Sequence, residues 1–241
     1  MSKPVLRTLG LVSGLGVGAT VFYYRSLVAA HLERELSPRI LMVHADVRRT
    51  MKLAQERQLD ELSSYLAGLL AQLAAGGCEI ATIPAFSPQV CVQQLAAKTP
   101  LPLIGLVETA VAEVRRRGFR RVAIFGARVT IETKLFGALS DQAEVVVPAM
   151  SDLELVSETY KRIVERESAL HEEIASLRRL AHKLIEKERL DGILLAGTDW
   201  SFVFDTGNTD FPHIDCTRAH ILAIMNELAG AAPQGPPVPT G

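Results

Sequence analysis

Two short runs in this chain end in small and hydroxyl-bearing residues, Pro84-Ala85-Phe86-Ser87 and Ala196-Gly197-Thr198-Asp199. Asp199 is a carboxylate that could take a proton from a water or a substrate, and it could equally cap the helix that follows. Ser87 and Thr198 offer hydroxyls able to hold a carboxylate, and Thr130 offers another at a glycine turn in the second half. Ser13 and Gly14 end the first strand-like run. Backbone N–H groups after Gly14, Ala85, Gly126 and Gly197 could form anion nests where helices begin. His44, Asp46 and Arg48 alternate, so they would point the same way if the strand extends that far. His44 is the best-placed titrating group of the first half. Arg48 or Arg49 could clamp a distal carboxylate bidentately, or be a solvated loop arginine. His213 and His220 read as packing or hydrogen-bonding histidines. No cluster has metal-ligand spacing, since His44 and Asp46 lack a third partner. Cys78, Cys91 and Cys216 form an odd set without CxxC spacing, which argues against a disulfide framework or a structural zinc. Burial as small apolar residues is the expected role of all three, with Cys216 nearest the presumed site.

The elements that must carry these groups alternate short apolar runs with longer helical patterns, the mark of parallel sheets covered by helices. The strand expectations are Leu9–Val12, Arg39–Val43, Ile80–Pro84, Leu103–Leu106, Arg121–Phe125, Glu144–Val147 and Gly192–Ala196. Leu62, Leu66, Leu69, Leu70 and Leu73 set a helix over Leu59–Ala75, and Glu108–Arg117 reads as another. The charged stretch Leu153–Arg189 divides into two helices around Ser168 to His171. An internal echo links Leu9–Gly16 to Val122–Val129 and Glu79–Ser87 to Asp191–Ser201. Gly14 to Gly126 and Ala85 to Gly197 share one offset of 112 positions. Two copies of one α/β unit would put these strand ends at equivalent places in two lobes. Ligands of open parallel sheets bind beyond the strand carboxyl ends, so a cleft between the lobes is the expected site.

Composition narrows the rest. At 241 residues the chain can bury two compact lobes, and 48% hydrophobic content suits a globular protein. A formal net charge of −1 gives no nucleic-acid footprint. The apolar stretch Leu9–Ala30 contains four glycines and Arg25, so it reads as strand, turn and helix, not as a membrane anchor. The Pro-rich residues 231–241 are expected to be disordered.

Four segments, in order, resemble the aspartate/glutamate racemases: Gly10–Leu27, Leu41–Arg49, Phe125–Phe136 and Phe211–Ile224. The resemblance runs from about Leu9 to Leu228. It implies an α/β fold of two pseudo-symmetric Rossmann-like lobes with parallel sheets and a ligand cleft between them. Lobe one would be 1–103 plus 210–228 and lobe two 104–209. It also implies cofactor-independent chemistry, with one cysteine at each lobe's strand end moving protons on opposite faces of a carbon acid. The family's Pro-Cys-Asn-Thr run is Pro84-Ala85-Phe86-Ser87 here, and its Gly-Cys-Thr-Glu run is Ala196-Gly197-Thr198-Asp199. Both thiols are absent, so the two-thiol mechanism cannot operate.

The expectation that follows is a cytoplasmic acid/base enzyme acting on a small amino or carboxylic acid. Asp199 and His44 would be catalytic, with Ser13, Gly14, Asp46, Arg48, Ala85, Phe86, Ser87, Thr130, Gly197 and Thr198 binding substrate. With no base at Ala85, one-sided lyase or hydrolase chemistry fits better than racemisation. A catalytically silent small-molecule binder is the alternative, and a racemase or isomerase with non-thiol bases a further one. No metal, cofactor, nucleic acid or membrane is implied, and a homodimer is compatible with the chain. Ala85 and Gly197 are expected to face each other across an open cleft widened by their small size.

Overall fold

A computed structural model describes residues 6–205 and 207–229; the tail expected to be disordered lies outside them. The first half runs β1 (Leu9–Ser13), α1 (Val17–Glu33), β2 (Ile40–His44), α2 (Val47–Gln55), α3 (Leu59–Ala75) and β3 (Ile80–Thr82). A 3-10 turn at Ser87–Cys91 and α4 (Val92–Ala96) follow. The second half runs α5 (Leu106–Arg117), β4 (Arg121–Gly126), α6 (Arg128–Glu132), β5 (Glu144–Val145), α7 (Met150–Arg166), α8 (His171–Glu188) and β6 (Gly192–Ala196). A 3-10 turn at Thr198–Phe202, β7 (His213–Asp215) and α9 (Cys216–Leu228) complete it.

Two parallel sheets result, ordered β2-β1-β3 and β5-β4-β6-β7. Every residue of β1 and β6 is buried, as expected for parallel strands covered on both faces. In α3 the buried leucines are the 3.6-period set read from the sequence, and α5 stops at Gly118, whose φ of +68° suits glycine. The α7–α8 corner is tied by Glu173, whose carboxylate accepts from Leu170 N–H at 2.9 Å and Arg162 Nε at 3.0 Å and also pairs with Arg166.

The sequence expected a strand at Leu103–Leu106. Only Leu103 bridges to Ala81, because the chain turns helical at Leu106. That bridge makes Leu103 the counterpart of β7, which pairs with β6 through Ile193 and His213. The return segment, expected wholly in lobe one, therefore divides. Strand His213–Asp215 extends lobe two's sheet, where Ile214 is buried beside Ile193 and Leu194. Helix α9 goes back to lobe one, where Ile221, Ile224, Met225 and Leu228 pack with Leu9, Tyr23, Leu27 and Ile80. The matching helix of the repeat is α5, which follows Leu103 as α9 follows β7, and it buries Leu106, Val107, Ala110 and Val114 in lobe two's core. The two exchanged helices also pack on each other.

His220 of α9 anchors this arrangement. The ring is fully buried, with Nε2 at 3.0 Å from the Ile104 carbonyl and 3.1 Å from Thr82 Oγ1, and Nδ1 at 2.9 Å from Tyr23 Oη. A carbonyl only accepts, so Nε2 carries the proton and Nδ1 accepts from the Tyr23 hydroxyl. Burial pulls this imidazole down to about 4. Among the described residues no helix is long and apolar enough to cross a membrane, and no group of three or more His, Cys, Asp or Glu could hold a metal ion.

Candidate active site

In lobe one, β1 delivers Ser13 and Gly14 to its carboxyl end. Ser13 Oγ donates to the Val43 carbonyl at 2.9 Å, and Gly14 N–H donates to Thr20 Oγ1 at 3.2 Å. Gly14 sits at φ +82°, and a Cβ there would meet the Ala45 carbonyl and the His44 ring at 2.7 Å. His44 thus covers the glycine turn, with its side chain exposed at the end of β2.

The expected alternation of His44, Asp46 and Arg48 does not occur, because β2 stops at His44 and α2 begins at Val47. Asp46 is the cap of α2, accepting from Arg48 N–H at 2.9 Å and Arg49 N–H at 3.1 Å, so its oxygens serve the helix. Arg49 lies over the Tyr65 ring and pairs with Glu61. Arg48 stands exposed in the first turn of α2, away from the strand row in which it was expected.

The position of the family's first thiol is closed. Ala85 and Phe86 are each only 5% exposed, and Phe86 packs into the apolar core of lobe two. Gln89 Nε2 donates to the carbonyls of Ile83 (3.2 Å) and Ala85 (3.0 Å), fixing the turn. Ser87, partly buried, opens the following 3-10 turn.

The second position is closed as well, by a residue that sequence reasoning missed. A Cβ built on Gly197 would lie 2.5 Å from ring carbons of Tyr160 and 2.7 Å from its phenol oxygen. Gly197 has φ −156°, an extended conformation any residue adopts, so space and not backbone conformation demands glycine. The expected widening of the site is therefore cancelled by an aromatic ring from α7. The only signal in the sequence was indirect: a glycine where a side chain is usual leaves a volume that close-packed interiors fill.

Around Tyr160 stands the one compact polar cluster among the candidates. Tyr160 Oη donates to Asp199 Oδ2 at 3.2 Å, and Thr198 Oγ1 donates to the same oxygen at 3.3 Å. Asp199 is 4% exposed. Burial raises its pKa, the two hydroxyls pull it back, and the nearby charge of Glu167 raises it again. Burial and the Asp199 charge also raise the Tyr160 phenol, which stays protonated and donates. The turn is held by Trp200, whose Nε1 donates to the Phe125 carbonyl at 2.9 Å and whose ring lies 4.8 Å from that of Tyr160. Thr130 is fully buried near Gly126, and its Oγ1 has no hydrogen-bond partner among the described residues. Across the lobe boundary, Phe202 meets Phe22 edge-on at 5.9 Å and lies against Gly18 of α1, as does the carboxyl of Glu167.

None of the three cysteines stands at Ala85 or Gly197. All three are free and buried, and burial raises each pKa, that of Cys91 to about 11. Thiolate is the reactive form. Native protein is accordingly expected to resist iodoacetamide near neutral pH and to take up three equivalents only after unfolding. Rapid stoichiometric labelling of Cys216 in the native state, read by mass spectrometry, would contradict this.

The sequence model of the Asp/Glu/Hydantoin racemase family matches residues 12–224. A provisionally assigned Asp/Glu racemase from Yersinia pestis superposes with a TM-score of 0.81 at 21% identity, covering 92% of this chain and 99% of that one. An aspartate racemase homologue from Pyrococcus horikoshii gives 0.79 at 19% identity over 93% and 100%. The glutamate racemase of Aquifex pyrophilus gives 0.59 at 16% identity over 95% and 86%. At these identities the likeness is one of fold. No curated protein matches the sequence.

Proposed function

The chain belongs to the Asp/Glu/Hydantoin racemase family, and from that premise we propose a cofactor-independent enzyme that moves a proton on a small amino or carboxylic acid from one side only. The observation that carries this reading is the Asp199 carboxylate, buried at the end of β6 with two hydroxyls on one oxygen and its pKa raised. A carboxylate so raised moves toward the range useful for general acid/base work, and enzymes tune catalytic carboxylates this way. Asp199 would take the proton from the substrate carbon or from a water. Backbone N–H groups of the glycine turns would stabilise the charge that develops on the substrate. With Ala85 opposite in the repeat, the second face has no base, so a lyase, a hydrolase or a one-base isomerase fits better than a two-base racemase.

A second reading, a binding protein without chemistry, is favoured by the burial of both former thiol positions under Phe86 and Tyr160. Three unpaired cysteines support a cytoplasmic setting for either.

The test is a panel of small acids, screened by thermal shift and then followed by proton NMR in D2O. Asp199→Asn keeps the shape and removes the base, and it is expected to cost at least about a hundredfold in turnover with little loss of folding. Unchanged turnover with a lowered melting temperature would make Asp199 a cap and pass the base to His44. Ligands that shift melting but neither exchange nor turn over would favour the binding reading.

A further inference from the structure

Gly197 and Tyr160 are one unit. The chain gives up a side chain at a strand end where its backbone would accept one, and a helix 37 positions upstream fills that space with a phenol. The phenol oxygen comes within 2.7 Å of where a Cβ would start, so an O–H group occupies the region where the family's second S–H would begin. That O–H does not point at random: it donates to Asp199 Oδ2. Its ring is clamped against Trp200, which is itself fastened to β4 through the Phe125 carbonyl. A two-torsion aromatic side chain fixed at both ends is a rigid support for a hydrogen bond.

We propose that Tyr160 is the positioning residue of Asp199, holding Oδ2 so that the carboxyl group keeps one orientation and one working acidity. The proposal rests on Asp199 being the acid/base centre, and it adds the group that sets that centre. The charged and titratable groups bearing on Asp199 are Tyr160 and Glu167, both contributed by α7 and its C-terminal cap, with the Thr198 hydroxyl beside them. Their effects have opposite signs. A donor to the ionised carboxylate lowers its pKa, and a neighbouring carboxylate raises it.

Tyr160→Phe keeps the ring that fills the space at Gly197 and removes only the O–H. With 13C-labelled aspartate, the side-chain carboxyl of Asp199 is expected to titrate higher in Tyr160→Phe, because a donor to the ionised form is lost. In Glu167→Gln it is expected to titrate lower. Opposite displacements from two neighbouring substitutions are not produced by general loosening of the fold. A folded Tyr160→Phe variant in which Asp199 titrates unchanged would overturn the proposal and leave Tyr160 a space-filling ring.

The wild-type chain supplies a second measurement that does not depend on either variant. After 3-fluorotyrosine incorporation at its four tyrosines, one 19F resonance should follow the Asp199 titration and stop doing so in Asp199→Asn. Absence of any such resonance counts against the proposal. These readouts need no substrate. If they succeed while Asp199→Asn leaves turnover intact, the pairing stands and the catalytic reading of Asp199 fails.

Discussion

Gly197→Cys, which restores the family's second thiol, is expected to destabilise the protein by about 3 kcal/mol and to create no racemase. Overpacking a well-filled core typically costs about 1–3 kcal/mol, and the upper end applies where the obstruction cannot swing away. Here the obstruction is the Tyr160 ring, 2.5 Å from the new Cβ, with Trp200 behind it and Asp199 at its hydroxyl. Urea unfolding measures the cost. The signature of the mechanism is its dependence on the ring: in a Tyr160→Ala background the same cysteine should cost well under 1 kcal/mol, giving a large coupling between the two positions. Wild-type stability in Gly197→Cys would mean that the ring has another place to go. Racemisation is expected to be absent because Ala85 offers no second base and Phe86 is packed into the neighbouring lobe. Exchange of the α-proton of aspartate or glutamate with D2O by this variant would refute that.

A loss of about 3 kcal/mol is likewise expected from His220 alone as pH falls from about 6.5 to about 4. Its folded pKa lies near 4 against 6.5 for a free histidine, and each pH unit of difference is worth about 1.4 kcal/mol. Above about 6.5 the ring is neutral folded or unfolded, and its contribution is complete. Through the window the unfolded chain takes up a proton that the folded one refuses, so stability drains away. Below about 4 both states are protonated and the loss stops growing. The cause is burial: the ring is fully enclosed, and an imidazolium there would lose its solvation, an effect that the hydrogen bond to the Ile104 carbonyl only partly offsets. Carboxylates contribute their own pH dependence, so the measurement is a difference between wild type and His220→Gln. Urea midpoints for the two should converge as pH is lowered from 7.5 to 4.5. Parallel curves across that range would place the imidazole outside the acid response.

Much of the architecture was legible because it rests on short-range periodicity. The buried β1 and β6 runs, the leucine face of α3 and the α7–α8 break near Ser168 are all written in local residue patterns. Strand β7 was not, since three residues ending in an N-cap aspartate carry no alternation, and their pairing depends on where β6 already lies. The exchange of α5 and α9 was half visible, as an apolar return segment in need of a lobe. The Asp46 expectation failed on a local competition: an aspartate immediately before a helix finds backbone donors sooner than a ligand does. Tyr160 was invisible for a different reason. Its role is defined by a missing side chain far away in sequence, and one amphipathic helix position looks like any other. The Asp199 motif could be found from the sequence, whereas the partner that sets its acidity required coordinates.

The exchanged helices also decide how the molecule can move. Since each lobe's core contains the helix that follows the other's last strand pairing, pulling the lobes apart would expose apolar surface in both, a cost that grows with every side chain uncovered. A rotation that keeps α5 on α9 would still have to part α9 from β6 and from the Thr198–Phe202 turn, and Phe22 from Phe202. The lobes therefore resist rotation as well as separation, which keeps the Thr198–Phe202 turn and its Asp199 in a fixed place against α1 and α9. The edge-on Phe22–Phe202 pair ties that turn to α1 three residues beyond Asp199.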